Sequence, residues 1–188
     1  ADELGITGFT KADNARQRGV SRMASLEVVL EKTDRKFSDE EKAELAEQKN
    51  DMYVKSLSNL SKADVLPGVF EFIEYIKSNG IKAAVGSASK NTPLILEKTE
   101  LANKFDAVSC GLDTTRSKPD PEVFLIAANK LGIAPCDCAV VEDSDAGIEA
   151  AKAGGMYAIA VGAAEHNPKA DISVKDLDSL YRALSILA

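Results

Sequence analysis

Ala139-Val140-Val141-Glu142-Asp143-Ser144-Asp145-Ala146-Gly147-Ile148-Glu149-Ala150-Ala151-Lys152-Ala153-Gly154-Gly155 decides how this chain is read. The apolar run Cys138 to Val141 stops at two adjacent carboxylates, and a run of small, helix-tolerant residues follows, ending at the paired glycines. Buried strand, charged turn, helix is the order this pattern predicts. In parallel α/β sheets, ligands sit beyond the carboxyl ends of strands. Two carboxylates placed there are unfavourable unless something positive neutralises them. Hard oxygen ligands at a strand tip suit Mg²⁺, which takes one or two carboxylates and shares its remaining positions with water and phosphate. A second reading stays open on these residues alone. Asp143 or Ser144 would be a helix cap, with Glu142 favoured by the positive end of the helix dipole.

Outward from this stretch the chain alternates. Ile81 to Gly86, Asp106 to Cys110, Cys138 to Val141, Met156 to Val161 and Ile172 to Val174 read as strands. Between and around them, helices are predicted from Pro67 to Lys77, Thr92 to Leu101, Pro121 to Leu131, Ala146 to Ala153 and Leu177 to Leu187. Asn79-Gly80 stops the first of these, and Asp120 caps the third with Pro121 at its first position. Such alternation predicts an α/β fold, a doubly wound parallel sheet. Residues 1 to 62 carry no strand signal and read as a small helical cap domain, with 63 to 188 as the α/β core. In the cap, Ser21 is a possible N-cap, Leu26, Val29 and Leu30 fall at helical spacing, and Ser38-Asp39-Glu40-Glu41 is a capping-box signature. The helix it opens runs toward Leu57, with Leu45, Tyr53 and Leu57 as its expected buried stripe.

A net charge of −7 argues against nucleic acid or an anionic membrane as partner. No apolar run is long enough to span a bilayer. Cys110, Cys136 and Cys138 are an odd number, and two fall in expected strands, which points to reduced thiols and a cytoplasmic setting. Cys136-Asp137-Cys138 lacks the second Cys or His pair of a zinc site. No apolar surface stripe is visible beyond core positions, so a monomer is expected.

Two further polar groups fall at strand ends. Ser87 follows the strand ending at Gly86 and lies too early to cap the next helix, so its hydroxyl is free to face an oxyanion; Ser89, Asn91 and Thr92 remain capping candidates. Lys118 stands in Ser117-Lys118-Pro119-Asp120-Pro121, where the prolines restrict the backbone on both sides. A lone lysine is ordinarily solvated, but its placement beside other strand tips favours a role at the site. Hydroxyl, fixed cation and acid pair together would hold a phosphoryl group and spread its charge during transfer. None of these is an obvious nucleophile, and His166, the only histidine, reads as a surface-loop residue.

These segments resemble a known family. Ser87-Ala88-Ser89-Lys90-Asn91, Ser117-Lys118-Pro119-Asp120-Pro121 and Val141-Glu142-Asp143-Ser144-x-Ala146-Gly147-Ile148 resemble, in order and spacing, the second, third and fourth motifs of the haloacid dehalogenase superfamily. Arg18-Gly19-Val20-Ser21-Arg22-x-x-Ser25-Leu26 and Lys49-Asn50-x-x-Tyr53-Val54 resemble the cap of its β-phosphoglucomutase branch. The resemblance implies that Ser87 and Lys118 hold the phosphoryl group in transfer and that Glu142 and Asp143 bind Mg²⁺. It further implies that Arg22 holds the second phosphate of a glucose bisphosphate, with Ala88, Ser89, Lys90 and Asn91 on the core side. Gly19, Val20, Ser21 and Lys49 would line the sugar pocket. The implied reaction interconverts β-D-glucose 1-phosphate and glucose 6-phosphate through an aspartyl-phosphate and glucose 1,6-bisphosphate. Its partners are phosphorylated sugars, and cap closure excludes water.

One departure is serious: the family's Asp-x-Asp-Gly motif, which supplies the nucleophile, is absent from the sequence. Ala1 to Ile6 reads as the end of a first cap helix, so the motif is expected to precede Ala1, on a strand between those leading to Ser87 and Glu142. The alternatives are a sugar-phosphate phosphatase of the same superfamily, with water as acceptor, and a catalytically silent phosphate-binding module. A dehalogenase is disfavoured, because that branch does not need the acid pair.

Overall fold

In a computed structural model of the chain, residues 1–186 are described. A 3₁₀ turn at Asp2–Leu4 closes on left-handed Gly5, with Gly5 N–H on Asp2 O (3.0 Å) and Ile6 N–H on Ala1 O (2.9 Å), the hydrogen bonds of a helix end. Three helices follow: α1 (Lys11–Ala15), α2 (Arg22–Leu30) and α3 (Asp39–Ser56). Each has a hydroxyl cap, as local sequence demands: Thr10, Ser21 and Ser38 accept N–H groups of the first turn. Such caps contribute about 1 kcal/mol each.

The core of these N-terminal helices is Ile6, Leu26, Leu30 and Ala46, with Leu4, Val29, Phe37 and Leu45 packed at its edge. Tyr53 is not part of it. It is 44% exposed, and the small Ala46 takes the buried position on α3. The helix is 18 residues long and largely polar, and its apolar contacts with the rest of the module lie in its first half. Asp13 anchors the module's start: its carboxylate accepts from Thr10 N (2.9 Å) and Thr10 Oγ1 (2.7 Å) and lies 2.9 Å from Lys32 Nζ. The Thr10 hydrogen bonds, then Lys32, hold its pKa well below the usual carboxylate range.

The α/β part runs α4 (Val69–Ser78), β1 (Ala84–Gly86), α5 (Thr92–Lys98), β2 (Ala107–Ser109), α6 (Glu122–Leu131), β3 (Ala139–Glu142), α7 (Asp145–Ala153), β4 (Tyr157–Val161), β5 (Ile172–Val174) and α8 (Leu177–Ile186). The expected position Leu187 lies outside the described residues. The strands are shorter than their apolar runs. Ile81, 54% exposed, precedes β1, and Cys138 precedes β3 as a half-buried residue. Helix α6 begins one residue later than expected, with Pro121 flanking it, and Asp120 Oδ1 accepts the Glu122 N–H at 2.9 Å.

All pairings are parallel, as the alternation requires, but they form two sheets: β1 with β2, and β3-β4-β5 in order. Among the described residues no strand pairing joins the two sheets. The larger sheet's core is tight: Ile148, Ala150 and Ala151 of α7 meet Ala158 and Ala160 of β4, all wholly excluded from solvent. Burying Ile148 stabilises by about 1.5–3 kcal/mol, and the alanines let helix and strand approach closely. Helix α6 packs on β1 and β2 and also touches α7, so it spans the break from below.

Candidate functional site

The site is built where β1 and β3 end. Pro119 and Pro121 constrain the loop before α6, and the Lys118 side chain is buried, 5% exposed, rather than solvated. Its ammonium donates to Gly86 O at the end of β1 (3.2 Å) and to Glu142 Oε2 at the end of β3 (2.8 Å). It also lies 4.5 Å from the centroid of the Phe124 ring on α6. One cation thus joins two sheets that share no strand pairing. Gly86 is required here, since a Cβ would run into the Phe124 ring.

Ser87 comes directly after that carbonyl. Its N–H donates to Ser109 O (3.0 Å), extending the β1–β2 ladder. Its oxygen accepts from Ser89 N (3.2 Å) and lies 2.8 Å from Thr92 Oγ1, whose proton goes to Ser89 O (2.8 Å). The Ser87 hydroxyl therefore donates to Thr92 Oγ1 in this arrangement, and turning about its Cβ–Oγ bond would direct the proton elsewhere. Ser87 does not cap α5, as its position implied. Ser89 Oγ accepts from Asn91 N (3.1 Å), so the loop from Ser87 to Asn91 is a pair of nested hydroxyl turns. Ala88 is half-buried in that loop, and Lys90 is exposed.

Glu142 is buried at 8% exposure, and both its oxygens are held: Oε2 by Lys118, Oε1 by the Ser144 hydroxyl (2.5 Å) and Ser144 N (3.2 Å). Asp143 beside it is exposed. Ser144 is also the N-cap of α7, as the cap reading of this turn expected, and Glu142 and Asp143 stand as adjacent carboxylates at the strand tip. Among the described residues no cluster of three or more His, Cys, Asp or Glu side chains forms a closed cation cage. Two adjacent carboxylates, one of them neutralised by a lysine, nevertheless match the sparse donor set Mg²⁺ uses when phosphate and water complete its shell.

The N-terminal helical segment reaches this place through Gly19, which has φ +71°. A Cβ on Gly19 would collide with the Ser144 hydroxyl and come within 3.7 Å of Lys118 Cδ. The neighbouring Val20 is half-buried, and Ser21 is occupied as N-cap of α2, accepting from Ala24 N (3.2 Å). A second such link is Asn91 Nδ2 donating to Asn50 Oδ1 of α3 (2.9 Å).

Arg22 and Lys49 bond within the N-terminal helices. Arg22 Nη1 is 2.7 Å from Glu47 Oε2. Lys49 Nζ donates to the buried Ser25 hydroxyl (2.6 Å), and desolvation there pushes its pKa below the ordinary lysine value, although the residue as a whole is exposed. His166 is exposed in the loop after β4, as expected. It borders a cleft of about 410 Å³ whose acids are already partnered, Asp145 by Asn167 (2.6 Å) and Glu149 by Lys169 (2.6 Å). Phe124 and the packing roles of Gly86 and Gly147 escaped sequence reading, because a ring or a gap carries no local signature, and Thr92, a capping candidate, instead donates its hydroxyl to Ser89 O (2.8 Å).

The family profile described as haloacid dehalogenase-like hydrolase matches residues 9–161. The chain is 37% identical over 182 residues to the beta-phosphoglucomutase of Bacillus subtilis (strain 168), covering 96% of this chain and 80% of that protein. It is 32% identical over 154 residues to the phosphorylated carbohydrates phosphatase of Thermotoga maritima, covering 80% of this chain and 68% of that protein. The crystal structure of beta-phosphoglucomutase (pgmB) from Clostridium difficile superposes with a TM-score of 0.88 at 33% identity, covering 98% of this chain and 87% of that one.

Proposed function

The chain belongs to the haloacid dehalogenase-like hydrolase family, and from that premise we propose that it acts in phosphoryl transfer on phosphorylated sugars, as a mutase between β-D-glucose 1-phosphate and glucose 6-phosphate. The observation that carries this reading is the seat of the cap loop: Gly19 lies against Ser144 and Lys118, directly over the strand ends. A cap seated there excludes water, which is what separates transfer to a sugar hydroxyl from hydrolysis.

In this reading the transferring phosphoryl group is held by the Ser87 hydroxyl and the Lys118 ammonium, which exchanges part of its bond to Glu142 for a phosphate oxygen. Glu142 and Asp143 would hold Mg²⁺, which when bound offsets phosphate charge at the strand tips. Arg22 would hold the second phosphate of the bisphosphate, three residues beyond the seated Gly19. Its bond to Glu47 is no obstacle, because Glu47 is 64% exposed in its side chain. Such pairs contribute only about 0–1 kcal/mol, whereas a bidentate phosphate contact is roughly twice as strong as a neutral one. Asn91 would meet the sugar phosphate from the core side, releasing Asn50. Val20, Ser21 and Lys49 would face the sugar from the cap side, with Ala88, Ser89 and Lys90 opposite. The phosphoryl-accepting carboxylate is not among these groups. The helical cap domain and the α/β core act in this reading as two bodies that meet at Gly19 and at Asn50–Asn91.

A phosphatase is the second reading, favoured by Arg22 being engaged with Glu47. An assay with β-glucose 1-phosphate, Mg²⁺ and a trace of glucose 1,6-bisphosphate separates the readings. Glucose 6-phosphate that forms only with bisphosphate present supports the mutase. Release of inorganic phosphate supports the phosphatase, and saturable binding without turnover supports a phosphate-binding module.

A further inference from the structure

The Glu142 carboxylate is gripped from two elements. Lys118 holds Oε2 at 2.8 Å, and Ser144 holds Oε1 through its hydroxyl at 2.5 Å and its backbone N–H at 3.2 Å. A carboxylate has only acceptors, so the Ser144 hydroxyl must donate. The same oxygen accepts the Gly147 N–H at 3.1 Å, which leaves its proton aimed at Glu142. Behind this, Gly147 has no room for a side chain: a Cβ would fall on the Glu142 carboxyl group itself. In front, Gly19 covers the hydroxyl, and Ser144 is 4% exposed. Capping α7 needs an acceptor only, which aspartate or asparagine would supply equally. The donated bond to Glu142 is therefore a separate function of this side chain.

We propose that Ser144 is a positioning residue for Glu142. Its hydroxyl fixes the rotamer in which the carboxylate meets a divalent cation, and Gly19 seals that bond from water when the cap is seated. The inference rests on the reading of Glu142 as a cation ligand. Hydrogen bonds to ligating carboxylates alter metal affinity about 10–100-fold when removed.

Calorimetric titration with Mg²⁺ alone tests this, with thermal melts in metal-free buffer run beside it. Ser144→Ala is expected to weaken Mg²⁺ binding about 10-fold or more, while Ser144→Thr, which keeps the donor, stays within about 3-fold of wild type. Glycine is tolerated at an N-cap with little loss, so Ser144→Gly is expected to keep the metal-free melt close to wild type and still lose Mg²⁺ affinity. Ser144→Gly therefore carries the test if the alanine variant unfolds. Wild-type Mg²⁺ affinity retained in Ser144→Gly would overturn the inference and leave the ligand reading standing. Absence of Mg²⁺ binding by the wild-type chain would overturn both.

Discussion

Lys118 and Glu142 form a buried ion pair, Nζ to Oε2 2.8 Å, that ties the carboxyl ends of two separate parallel sheets. Both side chains are under 10% exposed, so neither charge has water to fall back on. Removing one partner of such a pair leaves an uncompensated buried charge, a loss of about 3–5 kcal/mol. Lys118→Met and Glu142→Leu are each expected to fall in that range by urea denaturation. The double variant should lose clearly less than their sum. Additive losses would mean the two charges do not neutralise each other.

The Asp13 carboxylate predicts how the N-terminal helices respond to acid. Its folded-state pKa is depressed by Thr10 and Lys32. A depressed carboxylate contributes stability that is present above its unfolded pKa, about 3.9, and lost as pH falls toward the folded value. Asp13→Asn should therefore melt below wild type by a constant margin at neutral and mildly acidic pH. The margin should narrow once pH drops below about 4. A margin unchanged down to the lowest pH at which the protein stays folded would contradict the assignment.

Lys49 makes an opposite prediction at the alkaline end. Desolvation beside Ser25 lowers its pKa, so it loses charge at lower pH than a free lysine, whose pKa is about 10.4. If it faces a phosphorylated sugar, kcat/KM should fall earlier on the alkaline side than that value implies. Lys49→Arg, with a cation that stays protonated, should push the fall to higher pH. An alkaline limb that does not move would remove Lys49 from the site.

Arg22 distinguishes the two chemistries. Hydrogen bonds to charged groups contribute about 1.5–3 kcal/mol, which corresponds to roughly 10–150-fold at 1.4 kcal/mol per decade. Arg22→Ala should lower bisphosphate-dependent glucose 6-phosphate formation by that factor, with any phosphate release changing about 3-fold or less. Equal loss of both activities would exclude a second-phosphate role.

The sequence made much of this legible, for identifiable reasons. Strand and helix alternation, hydroxyl caps at Ser21 and Ser38 and the order of Ser87, Lys118 and Glu142 are local patterns, and each appears in the fold. Tyr53 was misplaced because a mostly polar helix has no dominant apolar stripe, and an alanine fills the buried position. The strand limits drifted because apolar runs extend past the last ladder hydrogen bond, as at Ile81. Capping by Ser144 and acidity of Glu142 looked like rival readings, yet one hydroxyl serves both. The seat of Gly19 on Ser144 and the Asn50–Asn91 bond are contacts across the chain, which no periodicity encodes.

The central claim is convergence on one phosphoryl group, and a crystal structure grown with inorganic phosphate and Mg²⁺ tests it most directly. The account predicts a phosphate with oxygens about 2.7–3.2 Å from Ser87 Oγ and Lys118 Nζ, and a magnesium ion between it and the carboxylates of Glu142 and Asp143. Phosphate bound elsewhere, with Lys118 still closed on Glu142 and no anion at Ser87, would contradict it.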